Sequence, residues 1–235
     1  MPDFLSSTSN DNILLSPSIL SADFAKLGED VISLSDAGAE MVHIDVLDGH
    51  FAPNLSMGPA IVKCIRPHTQ RCLDVHLMIT NPSKYSEPFI KAGANNVTIH
   101  VEIDEDISSI LKSIKSMGAS CGISIKPETP AEEIKPYLEL VDMVLVMTVN
   151  PGFSGQKFIP EMTNKIAQVR ELIKASGRNI HIQVDGGVDD KTGIDCVSAG
   201  ANVIVAASAI FGAEDGIHSA VNRIRTACEE TKKNA

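Results

Sequence analysis

The chain is short of positive charge: 20 Lys and Arg stand against 30 Asp and Glu in 235 residues, a formal net charge of −10. An acidic field repels polyanions, which argues against nucleic acid and anionic membranes as partners. Long apolar runs are missing too, so no segment reads as a bilayer span. The five cysteines, Cys64, Cys72, Cys121, Cys196 and Cys228, include no C-x-x-C pair. Their odd number and mostly apolar neighbours suit reduced core or boundary thiols of a cytoplasmic protein, not a disulfide framework. Basic residues are absent from Met1 to Asn12, which carries Asp3 and Asp11. That stretch, residues 1–12, is expected to be a flexible tail and neither a signal nor a transit peptide. It precedes a single domain over residues 13–235. The G-x-G-x-x-G signature of a doubly wound dinucleotide fold does not follow the first strand.

What the chain does have is alternation. Strand patterns occupy Leu14–Leu20, Met41–Leu47, Cys72–Ile79, Asn96–Glu102, Ser120–Lys126, Met143–Val149, Ile180–Asp185 and Val203–Ser208. Amphipathic stretches follow them, beginning near Asp23, Gly58, Pro82, Asp106, Pro130, Pro160, Asp190 and Asp215, several of them on helix-initiating Asp or Pro. Eight strand-then-helix units predict an α/β protein, a single (β/α)8 TIM barrel with a parallel sheet. A short echo marks the period. Asp36-Ala-Gly-Ala39, Lys91-Ala-Gly-Ala94, Ser116-Met-Gly-Ala119 and Ser198-Ala-Gly-Ala201 each stand just before a strand. There a glycine ends the helix and an alanine re-enters the barrel.

The second strand and its loop, VHIDVLDGHFAPN from Val42 to Asn54, carry the chemistry most openly. Val42, Ile44 and Val46 alternate with His43, Asp45 and Leu47, so the imidazole and the carboxylate share the face away from the aliphatic row. Ionisable groups at the C-terminal end of a strand are where barrel enzymes keep their chemistry. The third strand adds Asp74, His76 and Met78 on one face, and the seventh ends in Asp185. Any one of these, read alone, is better explained as a hydrogen-bonded core residue than as a ligand. Together, His43, Asp45, His76 and Asp185 form a donor set suited to a divalent transition metal. After strands six, seven and eight come Gly152-Phe153-Ser154-Gly155, Gly186-Gly187 and Ala207-Ser208. Backbone amides in the last loops of a barrel commonly hold a phosphate, and they let an acidic chain bind an anion.

The segments SPSILSADFAKLG, HIDVLDGHFAPNLSMG, DVHLMI, MTVNPGFSGQKF, VDGGV and GANVIVAASAIF closely resemble the D-ribulose-5-phosphate 3-epimerase family, in order, from about Leu15 to about Ile224. The resemblance implies a ribulose-phosphate-binding type of barrel. It would interconvert D-ribulose 5-phosphate and D-xylulose 5-phosphate by 1,1-proton transfer at C3 through a metal-bound cis-enediolate, in the pentose phosphate pathway or the Calvin cycle. It further implies one divalent ion per subunit held by His43, Asp45, His76 and Asp185; Zn2+ and Fe2+ lead, with Mn2+ and Co2+ behind. Asp45 and Asp185 would be the acid/base pair. Ser18, His76 and Asp185 would contact the ketose phosphate, and Gly152, Phe153, Ser154, Gly155, Gly186, Gly187, Ala207 and Ser208 would surround its phosphate. A homo-oligomer is expected, a dimer first and a hexamer second.

Two positions depart from the family pattern. Ala207 stands where glycine is usual, so a methyl group is expected to crowd the phosphate, and Leu47 stands where methionine is usual. Met78 and Met147 complete the apolar floor. Rival readings are a six-carbon ketose-phosphate epimerase acting on a substrate such as allulose 6-phosphate, a Schiff-base aldolase using Lys126, and a non-catalytic phosphosugar-binding barrel. The related decarboxylases are disfavoured because Asp74-Val-His76-Leu-Met-Ile lacks the lysine of D-x-K-x-x-D.

Overall fold

The computed structural model describes residues 4–234. Eight strands form one sheet: β1 (Leu14–Leu15), β2 (Met41–Leu47), β3 (Cys72–Met78), β4 (Asn96–His100), β5 (Ser120–Ile125), β6 (Met143–Met147), β7 (His181–Asp185) and β8 (Val203–Val205). Their order is β1-β8-β7-β6-β5-β4-β3-β2, and every pairing is parallel. The ring closes between the first and second strands through a bridge from Ser18 to His43, with the His43 N–H donating to the Pro17 carbonyl at 2.9 Å. The result is the expected single (β/α)8 TIM barrel.

Nine α-helices are found among the described residues. They are α1 (Phe4–Ser7), α2 (Leu27–Asp36), α3 (Pro59–Ile65), α4 (Pro82–Ala92), α5 (Ile107–Ser116), α6 (Met162–Ser176), α7 (Thr192–Ala199), α8 (Ser208–Phe211) and α9 (Gly216–Lys233). Their starts follow local chemistry. Proline opens α3 and α4, where its missing N–H costs nothing. The Asp106 side chain accepts the Ser109 N–H at 3.1 Å to cap α5. The glycine of the echo ends α4 at Gly93 with φ 118°, a conformation L side chains resist. None of the helices is long and apolar enough to cross a membrane.

The period-two pattern divides each strand between two environments. Val42, Ile44 and Val46 join the large apolar cluster shared with the helices. His43 and Asp45 turn into the barrel, where they meet side chains of neighbouring strands. The interior is layered: an apolar base of Leu14, Met41, Cys72, Met143 and Val203, then a buried polar layer that includes Ser16, Asp74, Asn96, Thr98 and Gln183.

Three local expectations are corrected. The first strand stops at Leu15 instead of running to Leu20, because Pro17 has no N–H for the ladder and Ser18 caps a 3-10 turn, Ile19–Ser21. The segment after β5 is a 3-10 turn, Ala131–Tyr137, with Pro136 inside it. Ser208 opens α8 and does not end β8. Of the stretch expected to be a tail, residues 1–3 lie outside the described residues, and Phe4 and Leu5 of α1 pack against the barrel base. Leu5 of α1 is 1% exposed and plugs the apolar base. Its carbonyl accepts from His181 Nε2 at 3.0 Å, and Asn202 ties His181 Nδ1 to the Asn12 carbonyl.

Leu5→Ala should therefore lower stability by about 2 kcal/mol, at the low end for a buried leucine. At this chain length that is a drop in Tm of about 4–8 °C by calorimetry, with kcat unchanged.

Candidate active site

Strand β2 delivers His43 and Asp45, β3 delivers His76, and β7 delivers Asp185 from beyond β1 and β8 in the ring. One potential ligand atom from each of the four lies within 4.8 Å of the others. His43 Nε2 is 3.3 Å from Asp45 Oδ1 and 3.9 Å from Asp185 Oδ2, and His76 Nδ1 is 3.2 Å and 3.8 Å from the same two oxygens. Ser18 donates to Asp45 Oδ2 at 2.5 Å. The opposite edge of the His43 ring is fixed: Nδ1 donates to Asp74 Oδ2 at 2.8 Å. His43 Nε2 is fully buried with no hydrogen-bond partner, a condition proteins avoid unless the atom has another use. An unshared imidazole nitrogen facing two carboxylates fits a cation, and two His with two Asp suit a divalent transition metal.

Burial and charge set opposite protonation states on the two acids. Burial disfavours charge on Asp45, but the positive charge favoured on His43 beside it outweighs burial and holds the carboxyl below its ordinary range. Asp185 lacks such support. Burial, reinforced by the negative charge of Asp45, pushes it up to about 8. Burial also works against the His43 cation, yet Asp45 and Asp74 raise that imidazole well above its usual value. His76 goes the other way, down to about 4, chiefly through burial. At neutral pH the metal-free site thus pairs an ionised acid with a protonated one.

A single cleft at the C-terminal end of the strands is lined by Ser18, Asp45, Gly152, Phe153, Ser154, Gly155, Asp185, Gly186, Gly187, Ala207 and Ser208, with Leu47, Met78 and Met147 forming apolar wall. His43 and His76 do not line it; both are fully buried beneath its floor. The loop after β2 is tied across the mouth to the loop after β6, where Asn54 Nδ2 donates to the Gly152 carbonyl at 2.8 Å. Two glycines have a packing reason of their own. A Cβ on Gly186 would strike Val149, and one on Gly187 would strike the backbone at Phe158 and Gln156. Ala207 sits at φ −118° and ψ −87°, and it gives α8 no side-chain cap.

Three residues outside the expected ligand set also contribute to the site. Asp74 was grouped with His76 on one face; it lies a layer deeper, fully buried, holding His43. His100 of β4 meets His76 Nε2 through its own Nε2 at 2.8 Å, and Glu102 meets His100 Nδ1 at 2.9 Å. The signal was available: Asn96, Thr98, His100 and Glu102 alternate with Val97, Ile99 and Val101 as plainly as β2 does.

Comparison with known proteins agrees with this geometry. The profile of the Ribulose-phosphate 3 epimerase family matches residues 14–211. The chloroplastic ribulose-5-phosphate-3-epimerase of Arabidopsis thaliana is 47% identical over 209 residues, covering 88% of this chain and 74% of that protein. The ribulose-phosphate 3-epimerase of Bacillus subtilis (strain 168) is 44% identical over 214 residues, 91% of this chain and 98% of its own. Among solved structures, orotidine 5'-phosphate decarboxylase from Pyrococcus horikoshii OT3 superposes with a TM-score of 0.68 at 15% identity, over 92% of this chain and 99% of that one. That likeness reports the fold alone.

The raised Asp185 carboxyl has a consequence for stability. Between the ordinary carboxylate range and about 8, the folded metal-free protein holds a proton that the unfolded chain has released. The contribution is complete below that window and is lost as pH rises through it. In chelator, Asp185→Asn should flatten the fall in Tm between pH 5 and 8 relative to the parent, as read by calorimetry.

Proposed function

This chain belongs to the ribulose-phosphate 3-epimerase family and is an isomerase, and from that premise we propose that it is a metal-dependent enzyme interconverting D-ribulose 5-phosphate and D-xylulose 5-phosphate. The observation that carries this reading is the unequal pair of acids, Asp45 ionised and Asp185 protonated, beside two imidazoles at the floor of one cleft. Inverting C3 of a 2-ketose needs a base on one face of the carbon and an acid on the other. Asp45 takes the C3 proton, which is acidic because it lies next to the C2 carbonyl. A planar enediolate results. Asp185, reaching in from β7, returns a proton to the other face, and the roles exchange in the reverse direction.

His43, Asp45, His76 and Asp185 would hold a divalent ion, with Zn2+ or Fe2+ favoured and Mn2+ or Co2+ as alternatives. Bound there, it would supply Lewis acidity to the charge that develops on the substrate oxygens. Ser18 keeps the Asp45 carboxylate oriented through its 2.5 Å hydrogen bond. Leu47, Met78 and Met147, all nearly fully buried, keep water from the intermediate. The loops of Gly152–Gly155 and Gly186–Gly187, with the uncapped start of α8 at Ser208, offer backbone N–H groups to the phosphate.

The test is conversion of ribulose 5-phosphate in D2O, with solvent deuterium appearing at C3 of the product. Asp45→Asn and Asp185→Asn should each lower kcat about 10²–10⁴-fold, the range for loss of a general acid or base, with circular dichroism unchanged. Near-parental turnover in either would remove that residue from the mechanism.

The metal is tested separately. His43→Ala should bring metal content by elemental analysis from one ion per chain to well below it. Full stoichiometry would exclude His43 as a ligand.

A further inference from the structure

We infer that Glu102 and His100 act as positioning residues which fix the proton of His76 on Nε2, leaving its Nδ1 free to bind a cation. The inference rests on the metal reading for its last link only; the proton arrangement stands by itself.

The chain starts from an atom that cannot change role. The backbone N–H of Lys126 donates to Glu102 Oε1 at 2.7 Å, and Thr129 Oγ1 adds a second donor at 2.5 Å. An amide N–H is only ever a donor, so Oε1 is locked as an acceptor. Two donors on one oxygen favour the ionised carboxylate, which then has no proton to offer. Its other oxygen, Oε2, is 2.9 Å from His100 Nδ1. That nitrogen must therefore carry a hydrogen.

Both rings are fully buried, which disfavours a cation on either. A neutral His100 that donates through Nδ1 has its lone pair on Nε2. This lone pair faces His76 Nε2 at 2.8 Å, so the shared proton belongs to His76. The remaining nitrogen, His76 Nδ1, then turns an unshared pair toward Asp45 Oδ1 at 3.2 Å and Asp185 Oδ2 at 3.8 Å. A lone pair beside carboxylate oxygens is repulsive alone and attractive around a positive ion. Phe51 covers the relay, its ring centroid 4.6 Å from that of His100, and Lys126 Nζ lies 3.9 Å above Phe51 in turn. Water is kept from offering the rings another partner. Metal-bound histidines usually hand their second N–H to a carboxylate or carbonyl; here another imidazole stands between, so the instruction comes from a residue one strand further away.

The test exploits an isosteric change. In Glu102→Gln, the amide oxygen is claimed by the Lys126 N–H, and the NH2 group faces His100 Nδ1. That nitrogen must then accept, which inverts both rings and puts a proton on His76 Nδ1. Zn2+ affinity, measured by competition with a chromophoric chelator, should fall about 10–100-fold, the usual cost of losing an outer hydrogen-bond partner of a ligand. Thr129→Val keeps the carboxylate and should bind Zn2+ as the parent does. Equal loss in both variants, or no loss in Glu102→Gln, overturns the inference. Nitrogen-15 NMR of the histidine rings in metal-free protein gives a second reading. The parent should show His100 protonated on Nδ1 and Glu102→Gln on Nε2. A parent His100 protonated on Nε2 overturns the relay even if the glutamine variant does not fold. Should the parent take up no Zn2+, the metal reading fails while the His100 spectrum still decides the relay.

Discussion

A carboxylate with no access to solvent sits at the middle of this barrel. Asp74 accepts hydrogen bonds from Ser16 Oγ, His43 Nδ1, Asn96 Nδ2 and Gln183 Nε2, at 3.0, 2.8, 2.8 and 2.6 Å. The donors come from β2, β4, β7 and the segment after β1. Burying an ion costs several kcal/mol unless its oxygens are fully bonded, so these four contacts are the condition for the charge to exist there. Once it exists, it dictates the layer above. It draws the proton of His43 onto Nδ1 and raises that imidazole's affinity for a second proton. Nε2 is left aimed at Asp45 and Asp185.

The chemistry follows from the same low-dielectric setting. Two like charges cannot both persist in a dry pocket, and the one with more donors keeps its charge. Asp45 accepts from Ser18 and lies beside the charge favoured on His43; Asp185 has burial and the repulsion of Asp45 against it, offset only in part by His43. Environment, not residue type, separates base from acid. Beside the pair, the β4 chain through His100 and Glu102 does for His76 what Asp74 does for His43. The first ends on a backbone amide and the second on a polar cluster, and each leaves one ring nitrogen directed into the site.

Much of this was legible in the sequence. The alternation of strands and helices gave the barrel, and the period-two pattern of β2 put His43 and Asp45 on its interior side. Differences arose where one residue decided the outcome. Pro17 ended β1 early, and the turn into α8 took Ser208 from β8. The polar face of β4 was equally legible, since Asn96, Thr98, His100 and Glu102 obey the same alternation. Gly186 and Gly187 suited an anion cradle when read alone, and the packing of Val149, Gln156 and Phe158 supplies a further reason for them.

By itself the sequence determined the order of elements, the face on which each side chain lies and the kinds of donor gathered at the strand ends. These depend on local periodicity and on residues close together in the chain. The tertiary structure alone decided which donors meet, how deep each lies and which carry protons. Those properties come from contacts between residues as far apart as Asp74 and Gln183, or Asp45 and Asp185. Their strength depends on how completely water is excluded, which no short stretch of chain specifies.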